Sequence, residues 1–434
     1  MNTTLQAGVY RANITPPIGI SMAGSLSATY ATKICGQLYA AAAVFDDGEQ
    51  EVAIVSVDVC WIDEANVKGI IEKVCAKSAI KPENIIITVT QTHTAPAIGP
   101  LMDLYPIDQN YLEVFKSQVA TAILSAWERK RPVRVAVGKA SNPHHCFNRR
   151  MVSPEGYIVA NFISGWDFAG YTPEGPIDPE IVAVRLENMD GSPLAFLVHF
   201  TNHVNAQGGA VIGPDFTGEM HDALCAVYGS DIVTLSLPGA AGNINWINTG
   251  ASERWTPDLY KKIGHSLAGS VLEINGTMQY LENNALHTET RILSIPERPF
   301  CEYDIKADFT FGDPNSLDAK AFLSTYRYAQ KKYGDRPLAS FDIELKLLKI
   351  GGEIAIVTNP CELFVEFGLE IKRRSPYTYT VPVDLTNGMG GYAPTKEAFA
   401  AGGYEVRKLP HASYLDHSAG GRIVAASLEM LHKA

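Results

Sequence analysis

The strongest constraint on what this chain can fold into is a recurring alternation. Short runs rich in β-branched residues, at 51–60, 84–90, 133–137, 181–186, 194–200, 232–237, 341–350, 354–358 and 378–383, are separated by stretches whose apolar residues return every three or four positions. A run of the first kind, bounded by turn formers, reads as a buried or half-buried strand. The second kind reads as helix, and several carry end signals. Asp63 is placed to cap a helix over 64–77, and 111–129 has apolar side chains at 112, 115, 119, 123 and 127. Thr256-Pro257 reads as cap and first turn for a helix bearing Leu259, Ile263, Leu267 and Val271. Ser316 opens another through 332, and Leu363, Phe364, Phe367 and Ile371 form one face of a fifth. The pattern predicts a mixed α/β fold, with strands and helices interleaved in the first third and longer antiparallel-looking strands later.

At 434 residues, two to four domains would be ordinary. No repeat, low-complexity tract or charge block divides the chain; the weakest stretches are the Gly/Pro/Asp-rich 171–179 and the 275–299 connection. A single domain over 1–434 is the expectation. A hydrophobic fraction of 46% provides a sizeable core, and a net charge of −11 opposes a phosphate backbone or an anionic surface. Nucleic acid is therefore not an expected partner. The opening from Met1 to Ala7 has neither a charged nor an apolar signal region, and nothing later approaches the length of a membrane span. Seven cysteines, scattered and never spaced as C-x-x-C, argue against a disulfide framework or a thiolate zinc knuckle. The expected setting is a reducing cytoplasm, away from membranes, with a small-molecule substrate as partner; the oligomeric state is not legible.

Candidate chemistry sits where apolar runs end. Thr88 to Pro96 closes one run and places Gln91 and His93 on the same side of an extended chain. Leu197 to His203 closes another, and His199 and His203, four apart, share a face suited to metal ligation by neutral imidazole. A glycine-rich stretch from Gly208 to Gly218, containing Asp215, follows and lets backbone approach a ligand. In the segment 236–246, tiny residues precede Asn243 and Asn245, which reads either as a structural turn or as backbone N–H groups facing a substrate oxygen. Glu362 falls where a strand gives way to a helix, as a helix N-terminal carboxylate or a metal ligand. The segment Gly264-His265-Ser266-Leu267-Ala268-Gly269 matches the spacing of a serine-hydrolase elbow, but the residues before it are already helical.

Taken in order, several of these segments resemble the neutral/alkaline non-lysosomal ceramidase family. The likeness runs from the opening Ala7 to Gly19 through Val57-Asp58, Thr92 to Pro96, Asn148-Arg149, Val198 to Thr201, Ala241 to Ile244 and Glu362, to Gly391 to Thr395 and Gly403 to Glu405. The resemblance implies one catalytic unit of packed mixed β-sheets flanked by helices, and a zinc site, or one for another divalent metal, that activates hydrolysis. It assigns His199, Glu362 and Tyr392 as metal ligands, and His93, Arg149 and Tyr404 as groups around the substrate. The sequence departs from the family in three ways. Gln91 stands where the family has a ligating histidine, which leaves the missing imidazole to His203 or His93. Asn245 stands where the family has its nucleophilic serine, so any hydrolysis is left to metal-activated water, with Gln91, Asn243, Asn245 and Asp215 positioning or polarising the substrate. The chain also ends about where the family's catalytic unit ends, which points to a small polar intracellular substrate. The expected function is a metal-dependent hydrolase of an amide, ester or lactone, with His199, His203, Glu362 and Tyr392 on the metal. The alternatives are a metal-dependent sugar or sugar-acid isomerase, epimerase or lyase, and a non-catalytic small-ligand binder.

Overall fold

The computed structural model of the protein describes residues 5–26, 28–102 and 104–433. The start of the segment read for an export signal lies outside them.

Every run read as a strand is one, with ends moved by a few residues. The larger sheet contains β1 (Gln6–Asn13), β2 (Tyr39–Asp46), β3 (Glu51–Val57), β4 (Ile85–Val89), β5 (Arg131–Ser141), β6 (Glu180–Asn188), β7 (Pro193–Phe200) and β8 (Val233–Pro238). Their spatial order is β8-β7-β6-β5-β1-β2-β3-β4. Neighbours are antiparallel except the two edge pairs, β3 with β4 and β7 with β8, which are parallel. The smaller sheet is β9 (Leu286–Pro296), β10 (Ser340–Ile350), β11 (Ile354–Thr358) and β12 (Tyr379–Val383), with β11 and β12 parallel.

The two sheets face one another across a shared core that takes Val9, Phe45, Ile54 and Leu197 from the first and Leu348, Ile356 and Val381 from the second. On the outer face of the larger sheet lie α1 (Glu64–Cys75), α2 (Gln109–Glu128), α3 (Asp215–Tyr228) and α4 (Leu259–Asn275). After α5 (Leu317–Tyr333), the helices α6 (Val365–Arg374) and α7 (Ala419–His432) cover the outer face of the smaller sheet. The result is a helix, sheet, sheet, helix layering. Among the described residues no helix is long and apolar enough to cross a membrane.

Strand β2 shows why composition alone missed an element. Its run of alanines has little strand propensity, yet Ala40, Ala42 and Val44 face α1 and α2 while Ala41, Ala43 and Phe45 face the other sheet. The period-two division between two cores makes the strand, and small side chains let helix and sheet approach closely. Caps decide the helix ends. Asp63 accepts from Asn66 N as expected, whereas Asp108 accepts from Asn110 N and Tyr111 N and starts α2 earlier than the apolar pattern does. Thr256-Pro257 does not open α4; Asp258 precedes it without a side-chain cap. Leu363, assigned to the fifth helix, belongs instead to the short strand Cys361–Leu363. Ser266 lies within α4, so the elbow spacing has no chemistry.

The parallel pairs position the site. Cys60 and Trp61 follow β3, Gln91 and His93 follow β4, His203 follows β7, and Glu362 follows β11. Open α/β sheets gather ligands beyond the carboxyl ends of their strands, where loops diverge.

Candidate active site

These loops enclose a cavity of about 300 Å³. One end is polar, lined by Gln91, His93, Arg149, His203, Glu362, Tyr392 and Tyr404; Trp61, Leu101, Phe162, Phe322 and Met389 supply apolar wall.

The loop after β4 is anchored on both sides. Gln91 N donates to Val59 O at 3.1 Å and His93 N to Val204 O at 3.0 Å, so the ends of β3, β4 and β7 are laced together. Gln91 takes a left-handed backbone, φ 67°, uncommon for a side chain of its size. His93 Nδ1 is 2.9 Å from Gly24 O, a contact that only an N–H satisfies, so Nε2 keeps its lone pair. Gly24 is required there: at φ 94°, a Cβ would lie 2.7 Å from the imidazole. Burial, and then the neighbouring His203, pushes the His93 pKa down to about 4, so the ring is neutral near pH 7.

Glu362 and Tyr392 meet because Cys361–Leu363 pairs in parallel with Gly391–Ala393, with those two residues in register. His203 sits beyond β7, and its Nδ1 is fixed 2.9 Å from Ile244 O, which leaves Nε2 toward the cavity residues. That Nε2 lies 3.1 Å from Glu362 Oε2, 3.0 Å from Arg149 Nη1, 3.3 Å from Gln91 Nε2 and 3.5 Å from the Tyr392 hydroxyl. Gln91 Nε2 also donates to Glu362 Oε2 at 2.7 Å.

Arg149 enters from the short strand pair of Phe147–Asn148 with Ile244–Asn245, its backbone N donating to Asn243 O at 2.8 Å. Its Nε pairs with Glu405 at 2.8 Å, and Glu405 holds Arg150 at 2.7 Å with its other oxygen. The guanidinium is flanked by the rings of Tyr392, Tyr404 and Phe162, at 5.3, 5.6 and 5.9 Å from its carbon to the ring centroids. Burial works against the Arg149 charge, but the Tyr392 phenol and the Glu405 carboxylate outweigh it and raise the pKa. Among the described side chains lining the cavity, the buried polar atom left without a hydrogen bond is Arg149 Nη2. Tyr404 stands edge-on to Tyr392, and burial raises its hydroxyl to about 12.

Four expected site residues are elsewhere. Both His199 and His203 were expected on the metal, but β7 ends at Phe200, so the two side chains do not continue along one strand face and His203 alone of the pair lines the cavity. His199 sits over Gly239, where a Cβ would lie 2.6 Å from its ring, and its Nδ1 is 3.0 Å from Leu237 O. Asn245 exchanges hydrogen bonds with Asn161, and Asn243 Oδ1 accepts from Val365 N, so both brace loops rather than line the cavity. Asp215 accepts from Gln207 N and Phe216 N at the start of α3, again away from the cavity. The tiny residues before Asn243 serve packing: a Cβ on Gly242 would lie 2.5 Å from Glu362 O. Conversely, the apolar wall, His411 and Glu405 were not assigned a role, because their neighbours in space are far away in sequence.

No protein-family profile matches the sequence, and no curated protein does. Solved structures do share the fold. The neutral ceramidase from Pseudomonas aeruginosa superimposes with a TM-score of 0.75 at 17% identity, over 99% of this chain and 74% of that one. A ceramidase complexed with C2 gives 0.75 at 15% identity, over 99% and 75%. The chain has the neutral ceramidase fold. At these identities the likeness describes architecture, and the chemistry has to be argued from the side chains present.

The residues do not fit the zinc centre that the resemblance implies. Such a centre takes three protein donors and leaves one position open. Two strong donors, His203 Nε2 and Glu362 Oε2, face the corner; the Tyr392 hydroxyl, 3.5 Å from that Nε2, is a phenol that burial keeps protonated, and among the described residues no third His, Cys, Asp or Glu joins them. Gln91 turns N–H toward the carboxylate, and a guanidinium N–H occupies the imidazole lone pair. The unpaired atom at the cavity is a cationic donor, which calls for an oxygen ligand and not for a second cation.

Proposed function

We propose that the cavity is the active site of a hydrolase that opens an amide, ester or lactone of a small substrate with an apolar body. The observation that carries this reading is the buried, unpaired Arg149 Nη2 at the polar end of an otherwise apolar cavity. An acyl oxygen placed against Nη2 satisfies the orphaned donor, and negative charge developing on that oxygen strengthens the contact, which is the condition for transition-state stabilisation. The Tyr404 hydroxyl, still protonated near neutrality, is a second donor at the same end. His93 is the base: with Nδ1–H committed to Gly24, its Nε2 takes a proton from the attacking water and returns it to the leaving nitrogen or oxygen. Trp61, Leu101, Phe162, Phe322 and Met389 favour a substrate less polar than the sequence suggested.

The test is a panel of N-acyl amides, esters and lactones with short apolar acyl groups, followed by proton NMR in deuterated water. Bond cleavage is expected, with Arg149→Ala and His93→Ala each lowering kcat/KM by about 100-fold or more. Deuterium entering an uncleaved sugar acid would replace this reading with isomerase chemistry. Binding without turnover would replace it with a ligand carrier.

A further inference from the structure

The polar corner is built around a positive charge, and the chain supplies that charge itself. With His203 Nδ1 committed to Ile244 O, its Nε2 is an acceptor, and Glu362 Oε2 is a second acceptor only 3.1 Å away. Two buried lone pairs at that separation repel unless something positive lies against both. N–H groups do so here: Gln91 Nε2 reaches both acceptors, at 2.7 and 3.3 Å, and Arg149 Nη1 reaches the imidazole at 3.0 Å. Neither donor is free to leave. Arg149 is pinned from behind by Glu405, and Gln91, 4% exposed, is held in a left-handed backbone by Val59 O. A left-handed glutamine persists only where its surroundings fix it.

We propose that this site works without a resident metal: Arg149 is its electrophile, and Gln91 is the residue that closes the corner to a dication. The carboxamide neutralises the acceptors with N–H where an imidazole or a carboxylate would offer a third lone pair. Arg149 then competes for the same imidazole nitrogen that a metal would need, and its fixed charge repels a dication beside it. The role of Arg149 as electrophile rests on the active-site reading above; the metal statement does not.

The test counts metal and uses no substrate, so a failure of the hydrolase reading leaves it intact. The full chain and Gln91→His are each incubated with zinc or manganese, desalted, and measured for bound metal and thermal midpoint. Wild-type protein is expected to retain no stoichiometric metal and to show no shift. Gln91→His completes a third donor and is expected to retain about one zinc per chain, with its midpoint raised by about 5 °C or more. Gln91→Glu, close in size and adding a carboxylate, keeps the test open where the histidine variant does not fold, with the same gain expected. Wild-type protein holding one metal per chain overturns the proposal. So do folded Gln91→His and Gln91→Glu proteins that both remain metal-free.

Discussion

Buried carboxylates at the cavity and away from it are treated in opposite ways. At the cavity, Glu405 is buried and yet held below the ordinary carboxylate range by Arg149 and Arg150, and Glu362 beside it accepts from Gln91 Nε2. Away from the cavity, burial pushes Asp215 up to about 7 with only backbone N–H groups to oppose it, and pushes His199 down to about 3 with no partner for its Nε2. Burial is common to the two regions. The countercharge is what differs, and it decides which buried group stays ionised and available for chemistry.

The comparison breaks most visibly if the partnered region loses its link. Glu405→Ala leaves the buried Arg149 guanidinium without its carboxylate and Arg150 with Glu174 as its remaining one, so a destabilisation of about 3–5 kcal/mol is expected in urea unfolding. A loss below about 1 kcal/mol would mean that the pairing contributes little.

The unpartnered region predicts a pH dependence. Asp215 has an ordinary value of 3.8 and a folded value of about 7, so between these the folded state binds more protons than the unfolded state. Stability from this group is present at low pH and lost as pH rises through about 7, by roughly 2–3 kcal/mol between pH 5 and 7. Asp215→Asn should flatten that fall, read as thermal midpoints across the range. An unchanged slope would assign it to another group.

The two histidines sharpen the contrast. His203→Ala removes the acceptor that fixes Arg149 Nη1 and is expected to lower kcat/KM by about 10–100-fold with the fold retained. His199→Leu removes an unsatisfied nitrogen but also the Nδ1–H bond to Leu237 O, so a stability loss of about 1–2 kcal/mol is expected with turnover unchanged. Comparable losses for both would collapse the distinction between the regions.

Much of the fold was legible because strand and helix periods are local. The strands at 84–90, 194–200 and 354–358 were readable, and so was the placement of Gln91, His93, His203 and Glu362 at strand ends. Strand β2 was not, since alanines show their period only once two cores exist to receive them. The choice between His199 and His203 was illegible for a related reason. Their spacing is the same for a strand that continues and a strand that stops, and the stop at Phe200 is set by partners on β6 and β8.

The sequence by itself determined the α/β layering, the candidate side chains and the substitution of a carboxamide at position 91, all of which depend on residue type and spacing. Only the tertiary structure decided that Arg149 and Gln91 point N–H groups into the corner that His203 and Glu362 form. Those contacts join residues 54 to 271 positions apart, and the orientation of a donor toward an acceptor across such separations follows from how the loops are anchored.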